Sequence, residues 1–196
     1  MNMTTLVAQS SKASSVELLP RRLRDCLALA TNNLETNSGV LSLPAEVAPH
    51  EADRYALQVQ QETLKLRLAP CTDRDIGIAL KVLASGLLFQ SLSETGTEAR
   101  VQAYKLVLVG RTSSVGLAKA VERYVRGEIG NKKFAPNPPE LLAAANAIDM
   151  PFLQEQMEIR KVLSAKVITR GKDSDPERRR ALAAEIRKKF GIGQSG

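Results

Sequence analysis

The apolar segment from Ile76 to Phe89 constrains the fold more than any other part of the chain, because Lys81 is its single charged residue. Thr72 and Asp75 stand just before it at the spacing of a capping box, in which two side chains satisfy free amides of a helix's first turn. A helix that is apolar nearly all round must be covered by neighbours on most sides. We therefore predict that this segment is the central helix of a helical bundle.

Apolar residues elsewhere recur every three or four positions, which is the period of an amphipathic helix. Leu23, Leu27 and Ala30 show this spacing near the start of the chain. No sustained alternation of apolar and polar residues indicates a strand. Aromatic residues make up only 4% of the chain, so the core must be aliphatic, which suits helices. The predicted fold class is all-α, a compact bundle of about six to seven helices.

Three regions are expected along the chain. Residues 1–15 are polar and are predicted to be a disordered, flexible N-terminus, and residues 16–168 are predicted to form the helical domain. Residues 169–196 are predicted to be a linker followed by a basic amphipathic helix. The polar run from Gly171 to Ser174 marks the linker, and Asp175 with Pro176 is typical of a helix start.

A dense set of helix signals lies between Gly127 and Glu140. Glycine readily adopts the left-handed conformation at a helix end, so Gly127 and Gly130 are predicted to end one helix. Asn137, two prolines and Glu140 are typical of the start of the next helix. A further helix is predicted to begin separately at Pro151.

Lys132, Lys133 and Phe134 lie between these two signals. An aromatic ring beside two cations can stack on a base and contact a phosphate. The other interpretation, which we expect here, is that the Phe134 ring packs into the core and holds the loop in place.

The net charge of +7 is confined to one end of the sequence. Residues 160–196 contain 11 Lys and Arg against 4 Asp and Glu, whereas residues 1–159 contain 17 of each. This basic segment indicates an acidic partner, either nucleic acid or an acidic protein surface. A solubilising tail without a partner is the alternative.

The final predicted helix combines an apolar stripe with many cations. Leu182, Ile186 and Phe190 are four residues apart and could dock in a groove on another protein. The same stripe could instead pack on its own domain. The cations predicted to contact phosphates or an acidic partner are Arg178, Arg179, Arg180, Arg187, Lys188 and Lys189, with Lys132 and Lys133 as a second basic site.

Catalytic and metal-binding patterns are not found in the sequence. His50 is the single histidine, which argues against most zinc sites and against a conventional catalytic triad. The GIGQSG run follows a predicted helix instead of a strand, so it does not match a dinucleotide-binding site. We predict no enzyme activity, no cofactor and no metal. No apolar run reaches the length of a membrane span, and the first twenty residues do not resemble a signal peptide, so the protein is expected in the cytoplasm.

The segment from Tyr104 to Ala147 resembles a pattern found in phage and prophage replicative helicase loaders of the loader-and-inhibitor class. In that pattern a helix carrying a tyrosine is followed by a short turn, then by a helix that ends near a glycine. An aromatic-Pro-x-Pro-x-Glu-Leu segment then starts another helix. The matching residues are Tyr104, Ala118, Ala120, Val121, Tyr124, Gly127, Phe134, Pro136, Pro138, Glu140 and Leu141.

This resemblance implies a non-enzymatic helical adaptor for DNA replication in the cytosol of a bacterial host. Such a protein binds a hexameric replicative helicase, holds it inactive and delivers it to single-stranded DNA. The resemblance also implies that a C-terminal part contacts the helicase and that the folded part contacts an initiator protein. The residues alone leave a second hypothesis open, a small helical DNA-binding protein of phage type, for packaging or regulation, that uses its basic tail.

Overall fold

The computed structural model describes residues 17–37, 39–89, 94–169 and 180. Helices make up most of this part of the chain, which confirms the predicted all-α class. We number the elements in chain order. The helices are α1 Arg21–Asn32, α2 Glu51–Arg67, α3 Asp73–Gly86, α4 Glu94–Leu108, α5 Ser114–Val125 and α6 Pro138–Ser164, and the strands are β1 Glu35–Asn37, β2 Val40–Pro44 and β3 Lys166–Ile168. The predicted disordered N-terminus, residues 1–15, and most of the predicted tail lie outside the described residues.

A three-stranded sheet is present that the sequence did not predict. β1 and β2 form an antiparallel hairpin that turns near Gly39, whose φ of 79° lies in the left-handed region. β3 then pairs with β2 in parallel, with Leu43 opposite Val167. The strands are three, five and three residues long, which is too short to show a clear period of two.

α6 is one helix of 27 residues, so the prediction that a separate helix begins at Pro151 is wrong. Proline has no amide hydrogen, and inside a helix it leaves the carbonyl four residues earlier without its usual donor. Here that carbonyl belongs to Ala147, and both residues are exposed. Water can satisfy the Ala147 carbonyl, so the helix continues through the proline.

Two apolar clusters form the core, and α6 contributes to both. The first cluster lies among α3, α4, α5 and the first half of α6, and its fully buried residues include Ile76, Leu83, Leu108, Leu117 and Leu141. The second lies among α1, β2, α2 and the second half of α6, with Leu27, Leu43, Leu57, Leu64 and Ile159. The long helix therefore connects the two halves of the molecule.

α3 is less enclosed than its sequence predicts. Its capping box is present, with Thr72 and Asp75 exchanging the two expected hydrogen bonds. Ile76 and Leu83 are buried, but Ile78 is 51% exposed and Val82 is 41% exposed. The helix is covered along one face only, so the prediction of a central helix surrounded on most sides is wrong.

A buried ion pair lies where the two clusters meet. The Arg67 Nη1 atom is 3.2 Å from Asp149 Oδ1, and both side chains are only 3% exposed. Burial lowers the pKa of Arg67, while attraction to the Asp149 carboxylate and a hydrogen bond with it act in the opposite direction. The Arg67 guanidinium also lies over the Phe152 ring, 4.5 Å from its centre.

Asp149 also binds the start of α5. It accepts hydrogen bonds from the Ser113 hydroxyl at 2.8 Å, from the Ser113 amide at 3.0 Å and from the Thr112 hydroxyl at 3.3 Å. The Ser113 oxygen in turn caps α5 by accepting from the Gly116 amide at 2.7 Å. A single carboxylate thus joins the end of α2, the start of α5 and the middle of α6.

Asp149→Ala should lower the free energy of unfolding by about 3–5 kcal/mol, because it leaves the Arg67 guanidinium buried without its partner. The double variant Arg67→Met with Asp149→Leu should lose less than Asp149→Ala, because it leaves no unpaired buried charge. Urea unfolding followed by circular dichroism measures both. A double variant less stable than Asp149→Ala would contradict this account.

Gly116→Ala should also destabilise the protein, because the added Cβ would lie 2.6 Å from Asp149 Cγ. We expect a loss of roughly 1–3 kcal/mol, as for other overpacked sites. Gly77→Ala is the matched control, since Gly77 also lies in a helix but a Cβ there meets no atom within 4 Å. The control should stabilise α3 by up to about 1 kcal/mol, and equal effects of the two variants in the same assay would contradict the prediction.

Candidate functional site

The candidate site is the connection between α5 and α6, which we call the 126–137 loop. α5 ends at Val125, and the Gly127 amide donates to the Tyr124 carbonyl at 2.9 Å. Gly127 has a φ of 68°, which confirms a left-handed glycine at this helix end. Gly130 has the same φ, but it lies five residues beyond Val125, inside the loop.

Gly130 is required for a second reason, which is its contact with Tyr124. A Cβ at Gly130 would overlap the Tyr124 ring, which is buried beneath the loop at 6% exposure. Burial raises the pKa of Tyr124, and the nearby negative charge of Glu140 raises it further. The Tyr124 hydroxyl therefore stays neutral at physiological pH, and its ring serves as packing for the loop.

Side-chain hydrogen bonds hold the second half of the loop. The Asn131 side-chain oxygen accepts from the amides of Lys133 at 2.8 Å and Phe134 at 3.3 Å. The Tyr104 hydroxyl donates to the carbonyl of Pro136. Asn137 and Glu140 then form a capping box at the predicted start of α6, with both hydrogen bonds at 2.9 Å.

The backbone of the loop also forms hydrogen bonds with the segment that directly follows α3. The Leu88 amide donates to the Lys133 carbonyl at 2.8 Å, and the Ala135 amide donates to the Leu88 carbonyl at 3.0 Å. These two bonds form an isolated bridge between Leu88 and Phe134. The Phe134 ring is 51% exposed, so the prediction that it packs into the core is wrong. Backbone and side-chain hydrogen bonds together hold the loop, and Phe134 is left half-exposed at the surface.

The surface formed by Leu88, Lys132, Lys133 and Phe134 is both apolar and basic, and we call it the Phe134 surface. Leu88 is 62% exposed, and both lysines are exposed. Within the described part of the chain, no carboxylate lies within 4.0 Å of either lysine ammonium. Beside Phe134 is an open depression of about 440 Å³, which Tyr124, Asn131, Pro136 and Glu140 help to line.

The neighbouring arginines, unlike these lysines, form ion pairs with glutamates. Arg126 pairs with Glu122 at 2.7 Å, and Arg123 pairs with Glu128 at 3.3 Å. The two lysines of the loop are therefore the local positive charges available to a partner. A half-exposed ring beside two such cations can stack on a base while the ammoniums contact phosphates, or it can anchor the loop in an apolar pocket of a protein.

The structure describes only three of the predicted site residues. Lys132 and Lys133 lie together on the Phe134 surface, and Arg180 is exposed. The remaining predicted partner-binding residues lie outside the described residues, namely Leu182, Ile186, Phe190, Arg178, Arg179, Arg187, Lys188 and Lys189. The predicted roles of these tail residues stay predictions.

Two residues of the site were not found from the sequence. Asn131 shapes the turn, and asparagine is typical of such turns because its side chain hydrogen-bonds the backbone two residues on. Leu88 lies at the end of a long apolar segment, and no local signal distinguishes it from the buried residues around it. Only the bridge to Phe134 brings Leu88 into the site.

No protein-family model, curated protein or solved structure matches this chain at a significant level. In the ranges that the structure describes, no three residues of the His, Cys, Asp and Glu types come together as metal ligands would. Among the described helices, none combines the length and apolar character that crossing a membrane requires.

Gly130→Ala should disturb the loop more than Gly110→Ala does. Gly110 has a φ of 70° and open space around its Cα, so its variant carries only the cost of the left-handed conformation, about 1–2 kcal/mol. Gly130→Ala carries the same cost and also forces the Tyr124 ring to move. Thermal unfolding of both variants tests this, and a Gly110→Ala variant that is equally or less stable would refute the role given to Tyr124.

Proposed function

We propose that this protein is a non-enzymatic DNA replication adaptor of phage type, which binds a hexameric replicative helicase and loads it or holds it inactive. The observation that carries the proposal is the geometry of the segment that resembles helicase loaders. Tyr104, Tyr124 and Pro136 from that segment meet around the 126–137 loop, and Phe134 lies exposed at its surface. The resembling residues therefore pack around the loop that presents the Phe134 ring and the two lysines.

The charge distribution supports the same proposal. The excess positive charge lies in residues 160–196, and Lys132 and Lys133 add a second basic site on the folded part. In an adaptor of this kind, the apolar stripe of Leu182, Ile186 and Phe190 on the basic tail contacts the helicase. The Phe134 surface then contacts an initiator protein or single-stranded DNA. The residues of the tail and of the loop would thus bind different partners.

A second candidate function is a small DNA-binding protein of phage type that uses the basic tail for packaging or regulation. It is favoured by the half-exposed Phe134 ring beside two lysines that lack a neighbouring carboxylate among the described residues. Stacking on bases with cations at the phosphates is how many proteins bind single strands. In this function the protein binds DNA without a helicase.

The test is to mix the full chain with a purified bacterial hexameric replicative helicase and to measure the mass of the complex by light scattering. We expect a stable complex with the natural chain. The triple variant Leu182→Ala, Ile186→Ala and Phe190→Ala should abolish the complex while the circular dichroism spectrum stays unchanged, because it removes the three apolar anchors. Undiminished helicase binding by this variant would defeat the assignment to the tail.

A second triple variant, Lys132→Ala, Lys133→Ala and Phe134→Ala, tests the role of the loop separately from that of the tail. It should keep the helicase complex but weaken binding of single-stranded DNA. The matched control is Leu106→Ala, Arg111→Ala and Lys119→Ala, which also removes two cations and one apolar side chain from exposed positions. If the chain binds no helicase but binds DNA with an affinity that falls linearly with the logarithm of salt concentration, the second candidate function replaces the first.

A further inference from the structure

The outward face of α6 carries no charge over several turns. Between Glu140 and Glu158 its exposed residues are Ala143, Ala147, Met150, Pro151, Leu153, Gln154 and Met157. The two charged residues of this stretch, Asp149 and Glu155, are both buried. A solvent-facing helix surface normally carries charged and polar residues, so this face has the composition of a contact surface.

The apolar residues of this face form one stripe. Met150 is 48% exposed, Leu153 is 37% exposed and Met157 is 54% exposed. Ala143, Met150 and Met157 are seven residues apart, and Ala147 and Leu153 lie between them on the same side. Positions seven residues apart lie on the same side of a helix, as they do where two helices of a coiled coil are in contact. We call these five residues the α6 stripe.

We propose that the α6 stripe binds the same stripe of a second copy of this chain, with the two helices antiparallel and Met150 at the two-fold axis. In this register, residues equally distant from Met150 in opposite directions face each other. Ala143 then lies opposite Met157, and Ala147 lies opposite Leu153. A small residue faces a large one at each of these levels, as interdigitated packing requires.

The charges at the two ends of the stripe favour the antiparallel arrangement. Glu140 is exposed at the N-terminal end, and Glu158, Arg160 and Lys161 are exposed at the C-terminal end, where two cations outnumber one carboxylate. In the proposed register Glu140 of each copy lies level with Arg160 and Lys161 of the other, and the two-fold symmetry repeats this attraction. A parallel pair would instead place the two Glu140 carboxylates together at one end and the two net positive ends together at the other.

A second copy suits this face better than the basic tail of the same chain. The stripe itself offers no carboxylate to the six cations between Arg178 and Lys189, so it has no charge complementary to them. The inference is independent of the proposed function, because it uses only α6 and its exposure. It assigns the α6 stripe to self-association and leaves the Phe134 surface to other partners.

The test is sedimentation velocity of the full chain from about 1 to about 100 µM, since an interface of one helix from each copy is small and its affinity modest. We expect reversible dimers of twice the chain mass. Met150→Asp should give only monomers over this range, because two carboxylates would meet at the axis. The matched control Leu66→Asp, at a 72% exposed position of α2, should dimerise like the natural chain.

Mixing two variants tests the register. Met150→Asp and Met150→Lys chains should each be monomeric alone, and an equimolar mixture should form dimers again, because only this register places position 150 beside itself. A monomeric natural chain, a dimer that survives Met150→Asp, or a mixture that stays monomeric would each overturn the proposal. If the natural chain is monomeric, a larger loss of thermal stability in Met150→Asp than in Leu66→Asp would show that another segment of the same chain covers the stripe.

Discussion

The contact between Arg67 and Asp149 determines how the two halves of this molecule meet. Apolar burial is not directional, so the two clusters by themselves would tolerate several relative positions. A buried carboxylate is tolerated only when its oxygens are satisfied, and here Arg67, Thr112 and Ser113 satisfy them together. Because these partners come from α2 and from the start of α5, the position of α6 is specified by hydrogen-bond geometry at its middle.

The position of α6 also determines where the Phe134 surface and the α6 stripe lie. α6 uses one side for the two clusters and the buried carboxylates, so its opposite side remains exposed. The same helix begins directly after its N-cap residue Asn137, and its capping box also ends the 126–137 loop. The Phe134 surface and the α6 stripe therefore depend on one rigid element, although they suit partners of different chemistry. A ring with two lysines suits an acidic partner, whereas an uncharged stripe suits an apolar one.

Much of the fold could be predicted from the sequence because many signals act within one helical turn. The capping pairs Thr72 with Asp75 and Asn137 with Glu140 are both present. The predicted glycine at the end of α5, Gly127, is also confirmed. The errors occur where a local signal competes with longer-range contacts. Pro151 is a good helix start in isolation, yet the helix that packs on both clusters continues through it.

The sequence by itself determined where most helices begin and end and which stripes carry the aliphatic core, since those properties depend on neighbours about four residues apart. Only the tertiary structure decided which apolar residues stay exposed. Phe134 and Met150 are apolar residues of the kind found in protein cores, but their exposure depends on elements distant in the chain. The bridge between Leu88 and Phe134 is one such long-range contact. The Arg67 and Asp149 pair spans 82 positions, and no local pattern marks such a pair, because its partners meet only after the helices have packed.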